Sequence, residues 1–149
     1  MKKITIVLLL LLSSTSFYAQ NTTKDIIDTF FRNYETHGPS LAVDKLYETN
    51  PWTNRIQDAI NNVKTQLVRF DEELVGEYYG YEELVMKKLG DSYELHSYFL
   101  KFDRQFLRLT FQFYKPKDDW RLYSFQFDDK FDEEIEEAAK LYYTDLSDK

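Results

Sequence analysis

From Tyr78 to Phe127 the chain is built from strand-forming residues broken by short turns, and no other feature narrows its fold as much. Tyr78 to Lys88, Tyr93 to Phe102, Phe106 to Tyr114 and Trp120 to Phe127 read as four strands separated by LGDS, DRQ and KPKDD. Turns this short join antiparallel neighbours, so the expected product is an antiparallel sheet of about four strands. In the third strand Leu107, Leu109, Phe111 and Phe113 alternate with Arg108, Thr110 and Gln112, giving one dry face and one wet face. The second and fourth strands are less regular. Leu95 and Phe99 oppose Tyr98, Leu100 and Phe102, while Tyr123, Phe125 and Phe127 oppose Trp120 and Leu122. Either bulges switch the faces or the outer face is itself partly buried. Partial burial, by a partner subunit or by a C-terminal helix, is the favoured expectation.

Helical patterns flank this block. Thr22 stands three residues before Asp25, as in a capping box, and Ile26, Ile27, Phe30, Phe31 and Tyr34 follow at helical spacing until Gly38-Pro39. Ser40 can cap a short second helix through Leu46 and Tyr47, ended by Asn50-Pro51 because the residue before proline avoids the α region. Ile56, Ile60, Val63, Leu67, Phe70 and Leu74 then form one apolar stripe, which predicts a single helix over 54–74 lying on the concave face of the sheet. After the sheet, Phe131, Ile135, Ala138, Ala139 and Tyr142 make a narrow stripe on a last helix whose first turn is crowded with acids. Helices on one side of an antiparallel sheet make an α+β layer pair. The expected architecture is N-terminal helices packed on a curved sheet, plus a C-terminal helix.

The start of the chain reads differently. Lys2 and Lys3 precede an apolar run from Ile4 to Leu12, and a polar-to-small segment ends at Ala19. That is the pattern of a secretory signal peptide over residues 1–19, leaving one domain over 20–149. The apolar run covers about 14 Å of helix, against the ~30 Å that a bilayer core requires, so no membrane insertion is expected once it is removed. The chain has no cysteine, which excludes a lipoprotein and any disulfide, and the expected location is the periplasm or the medium. Stability must therefore come from burial. Removing the signal takes away two lysines and no acid, so the net charge of −7 becomes −9. Such a balance repels phosphate backbones and makes nucleic acid a poor partner.

The segments GEYYGYEEL and KKLGDSYELHSYFLKFDRQFLRLTFQFYKPKDDWRLYSFQFDD resemble small exported Bacteroidota proteins described only as domains of unknown function. The element order is similar to the nuclear-transport-factor-2-like fold, a cystatin-like cone in which a curved sheet wraps around its helices. The resemblance extends over roughly residues 22 to 130, and FYKP and WRLYSFQFDD are structural rather than catalytic. It implies a fold and brings no assigned activity.

Most of the rings between residues 102 and 127 are expected to fill the core, because a buried aromatic hides about 150–250 Å². Tyrosines are the exception, since a buried hydroxyl requires a partner. Tyr79, Tyr81, Tyr98 and Tyr123 are candidates to line the mouth of a cone and bind a ligand. Members of that fold include isomerases and dehydratases that use a carboxylate base and a tyrosine donor. The resemblance makes His96 or Asp103 the candidate base and Tyr98 the donor, with Arg108 and Tyr123 also on the strands that carry such chemistry. No spacing ties these residues together, and the plainer readings are a rim position for His96, a solvated site or cross-strand ion pair for Arg108, and a helix-end role for His37. Two distant histidines and no cysteine give no metal cluster, and DDKFDEE lacks the glycine of a calcium loop. No phosphate-binding glycine loop or nucleophile elbow occurs, and no cofactor is expected.

Two readings of function follow. One is a non-catalytic exported module that binds a small apolar ligand or an exported partner protein, with homodimerisation through the outer sheet face. The alternative is a cofactor-independent isomerase or dehydratase. Either requires export, and mass spectrometry of the protein recovered outside the cytoplasm should find a chain starting within a few residues of Gln20. An intact Met1 on that protein would refute the signal-peptide reading.

Overall fold

A computed structural model describes residues 22–144, with side chains to residue 141; the segment expected to be a signal peptide lies outside the described residues. The element order is α1 (Thr23–His37), α2 (Pro39–Tyr47), a 3-10 turn (Thr53–Arg55), α3 (Gln57–Val68), α4 (Glu72–Val75), β1 (Tyr78–Leu89), β2 (Tyr93–Phe102), β3 (Phe106–Tyr114), β4 (Arg121–Asp128) and α5 (Phe131–Thr144). The chain is α+β, and its four strands form one antiparallel sheet in the order β1-β2-β3-β4.

Local chemistry sets the ends of α1. Asp25 N–H donates to Thr22 Oγ1 at 3.1 Å, and Thr22 N–H donates to Asp25 Oδ2 at 2.9 Å, closing the capping box. At the other end Gly38 takes φ 87°, a conformation that side-chain-bearing residues avoid, and its N–H donates to Tyr34 O at 3.0 Å. Pro39 then starts α2 from the first helical position, where its missing N–H costs nothing.

The apolar face of α1 meets the sheet ring on ring. Phe30 lies 5.1 Å from Phe111 and 5.5 Å from Phe125, and Phe31 lies 5.1 Å from Tyr98. Aromatic pairs of this kind add about 0.5–1.5 kcal/mol each beyond the area they hide. Phe31 also stacks face to face on Tyr81 of the β1 edge at 3.6 Å. Leu100, Leu107, Leu109 and Phe113 complete the sheet side of the core, and Ala42, Val43 and Leu46 of α2 close the helix side.

The helical stripe of residues 54–74 is not one helix. Phe70 N–H already turns back to Leu67 O, and Asp71 adopts an extended backbone and caps α4 by accepting from Leu74 N–H at 3.0 Å. Asp71-Glu72-Glu73 suits a helix N-terminus better than a helix interior, and that local preference wins over the apolar period. Ile60 and Leu67 are buried, whereas Ile56 and Leu74 are exposed. The helix whose rings face the sheet is thus α1, while α3 packs beside α2 and Phe70 reaches Phe127 at 5.9 Å.

Bulges and partial burial both account for the irregular strands. Gln112 pairs with Ser124 and Phe113 with Leu122, so Tyr123 is an extra residue and the faces of β4 switch there. Leu122 and Phe125 consequently point into the same core. On β2 the alternation holds, and the outer face is covered at one end by α5, whose Phe131 packs on Phe99 at 5.2 Å and on Phe106 at 6.5 Å. Arg108 lies opposite Asp128, forms a two-pronged pair with it and reaches Glu134 of α5 at 2.7 Å. Among the described residues no helix is long and apolar enough to cross a membrane.

Replacing Phe31 or Phe111 by alanine should cost about 3–5 kcal/mol in denaturant unfolding, as large-to-small core changes do. Ile56→Ala and Leu74→Ala should stay within about 0.5 kcal/mol of the parent, as exposed positions do. Equal losses at the two kinds of site would contradict the packing described.

Candidate functional site

The dry face of β2 changes character along its length. Leu100 and Tyr98 sit against the α1 rings, but two and four residues earlier the same face presents His96 and Glu94. The register places Glu83, Met86 and Lys88 of β1 opposite Tyr98, His96 and Glu94. The first residues of α1 approach from above, and Lys115 and Trp120 approach from the β3–β4 side. Together they line an open pocket of about 620 Å³.

Glu94 is its organising group. The side chain is nearly buried, and three donors surround the carboxylate: Lys88 Nζ at 2.8 Å, His96 Nε2 at 3.0 Å and a short contact from Thr23 Oγ1. Burial works to raise this carboxyl, but the bonds from Lys88, Thr23 and His96 and the charge of Lys88 outweigh it and bring it down to about 2. A carboxylate can only accept, so the bond to Glu94 places the His96 proton on Nε2. The other ring nitrogen, Nδ1, is buried without a partner among the described residues, and the ring meets Phe113 edge-on at 6.0 Å. His96 is therefore an interior residue with 5% of its surface exposed, not the rim residue its sequence position suggests.

Tyr98 is also interior. Its hydroxyl donates to Glu83 Oε2 at 3.2 Å, and burial, then the charge and bond of Glu83, push the phenol well above its usual value. Around these polar groups the pocket offers Met86 and the Trp120 ring, with Lys115 Nζ held 4.9 Å over that ring.

The other candidates lie elsewhere. Asp103 is in the β2–β3 turn, on the order of 20 Å from His96 at the usual rise per strand residue. Its backbone N–H donates to Glu77 O, and a Cβ on Gly76 would come within 2.7 Å of its own Cβ. Tyr79 is exposed and donates to Asp103 at 3.4 Å. Tyr81 lies over Phe31, next to Tyr98 at 6.1 Å. Tyr123 is 67% exposed on the outer face beside Tyr93. His37 is exposed in the last turn of α1 and bonds Thr36 Oγ1 at 2.6 Å. The structure thus brings His96, Tyr98 and, at one remove, Tyr81 together, and leaves Asp103, Tyr79 and Tyr123 apart from them. Among the described residues no group of three or more His, Asp or Glu is placed to hold a metal ion.

The site's central residues, Glu94, Lys88 and Thr23, gave no sequence signal as a set. Glu94 and Thr23 are 71 positions apart and meet only through the packing of α1 on β2. A usable hint was the E-x-H-x-Y spacing of Glu94, His96 and Tyr98, which puts three polar side chains on the strand face otherwise devoted to the core. No family model, curated protein or solved structure matches the chain.

Glu94→Gln keeps the shape of this cluster and removes its charge. It should cost about 1.5–3 kcal/mol at neutral pH, the range of hydrogen bonds to a charged group. Because folding lowers the carboxyl from 4.5 to about 2, its contribution is complete above 4.5 and vanishes as pH falls through about 2. Unfolding measured from pH 7 to pH 2 should show the gap between parent and variant closing across that window. A constant gap would mean that the carboxylate contributes nothing through its charge.

Proposed function

We propose that the chain is an exported, non-catalytic module that binds a small, partly apolar ligand in the pocket between the start of α1 and the β1–β2 edge, and that its fold is a compact form of the nuclear-transport-factor-2-like cone. The order of helices before a four-stranded antiparallel sheet, with α1 seated on one face, supports the fold assignment.

One observation carries the functional reading: the buried proton-bearing groups of the pocket, Glu94 and His96, are committed to each other. A general base needs a lone pair facing the substrate and a pKa near the working pH. Glu94 is held by three donors and ionises near 2. His96 uses Nε2 on Glu94, while Nδ1 is sealed in the interior. Groups fixed in this way supply a rigid, charged wall, and Met86 and Trp120 supply apolar surface beside it. Rigid walls with a few placed polar groups suit recognition.

The alternative, a cofactor-independent isomerase or dehydratase, draws on Glu83 and Tyr98. Their 3.2 Å contact opens onto the pocket and pairs an exposed carboxylate with a hydroxyl. In that reading Glu83 replaces His96 and Asp103 as the base.

Native mass spectrometry of the exported protein separates these readings. The binding module should carry a small-molecule adduct that is lost in Met86→Glu, a change at a surface position 43% exposed. Absence of any adduct from protein purified under mild conditions would refute it. If the recovered ligand gains deuterium from D2O in the presence of the protein, and not with Tyr98→Phe, the enzyme reading replaces it.

A further inference from the structure

The outer face of the sheet is finished at one end and bare at the other. At the finished end α5 is held by two kinds of contact. Phe131 sits among Phe99 and Phe106, and Glu134 pairs with Arg108, whose guanidinium also lies 5.2 Å over the Phe131 ring. Ring on ring and acid on arginine is how this face receives the helix.

At the bare end the same ingredients recur without an occupant among the described residues. The register places Leu89, Tyr93, Tyr114 and Arg121 in one row across the face, with Lys87 and Leu95 in the next. Leu89 is 76% exposed, Tyr114 47% and Tyr123 67%, and Trp52 stands beside them at 61%. A hollow of about 220 Å³ lies among Trp52, Tyr114, Arg121 and Tyr123. Arg55 stacks over Trp52 at 5.2 Å. In these rows the charged side chains are Lys87 and Arg121, both positive, although the whole chain carries −7. Trp, Tyr and Arg around a hollow are the residues that dominate binding energy at protein interfaces, and an exposed apolar patch of this kind marks one.

We infer that the bare end is covered by α5 of a second copy of this chain, in a two-fold dimer packed through the outer faces. Two observations select this occupant. Beyond its anchored first turn, α5 exposes Ile135, Ala138 and Ala139 as an apolar strip, flanked by Glu133, Glu136 and Glu137. An acidic amphipathic helix is complementary to rings bordered by Lys87 and Arg121. The finished end already shows the sheet accepting this helix through an arginine and a ring. A two-fold axis between the faces and across the strands sets the covered end of one protomer against the bare end of its partner, so both bare ends are satisfied at once.

The test is sedimentation equilibrium on the full exported chain at high micromolar concentration. The parent should be a dimer. Tyr123→Asp and Arg121→Glu should each weaken it by roughly tenfold or more, as loss of a central interface contact does. The change of Glu133, Glu136 and Glu137 to lysine should weaken the parent too, and in the Arg121→Glu background should restore association. Tyr123 and the three glutamates are exposed in the monomer, so circular dichroism should be unchanged in those variants. A monomeric parent overturns the proposal, as does a dimer indifferent to Tyr123→Asp. A dimer sensitive to Tyr123→Asp yet indifferent to the lysine substitutions overturns the assignment of α5 as the occupant.

Discussion

Two adjacent phenylalanines on α1 hold this molecule together. Phe30 and Phe31 point from one turn of helix into different parts of the sheet, the first toward Phe111 and Phe125, the second toward Tyr98 and Tyr81. They tie β1, β2, β3 and β4 to a single helix, in a chain without a cysteine to cross-link it. Burial of rings is what a domain of this size can set against its chain entropy. Everything else is placed by that contact, because the helix that carries the rings also carries Thr23 to the edge of β2.

The pocket exists because the apolar contact stops before the strand does. Where α1 begins, its side chains shorten from phenylalanine to threonine, and the strand beneath answers with His96 and Glu94. A carboxylate so nearly buried is tolerated only with charge-assisted partners, and Lys88, His96 and Thr23 provide them. The cluster closes the end of the core electrostatically. It also leaves a firm, polar-walled hollow whose protons are already assigned. The same bonds that stabilise this end of the core also fix the shape and charge of the hollow's wall.

The outer face follows a different logic. An antiparallel sheet can leave one face polar, and the central row of this one is so: Ser97 and Thr110 hydrogen-bond each other at 3.0 Å and Gln126 is exposed. Its two ends are not. One end is occupied by the start of α5, and the other presents aromatic rings beside positive charge. The asymmetry arises because α5 touches the sheet through its first turn and then leaves it.

The residue pattern alone sets the strands and the layer arrangement, since a period of two with short polar turns permits few other structures. It sets the ends of α1, because a capping box and a glycine-proline stop are local chemistry. Packing settles three things that periodicity does not carry. An apolar stripe over residues 54–74 reports which side of a helix would be dry, but Asp71 decides that the backbone breaks there. A run of alternating rings in β4 leaves the face of Tyr123 open until pairing with β3 makes it the extra residue of a bulge. Glu94 looks like an ordinary polar residue of a half-wet strand until α1 is laid across it, because its three donors come from β1, β2 and α1. Such contacts form between distant parts of the chain, and only the packed structure brings them together.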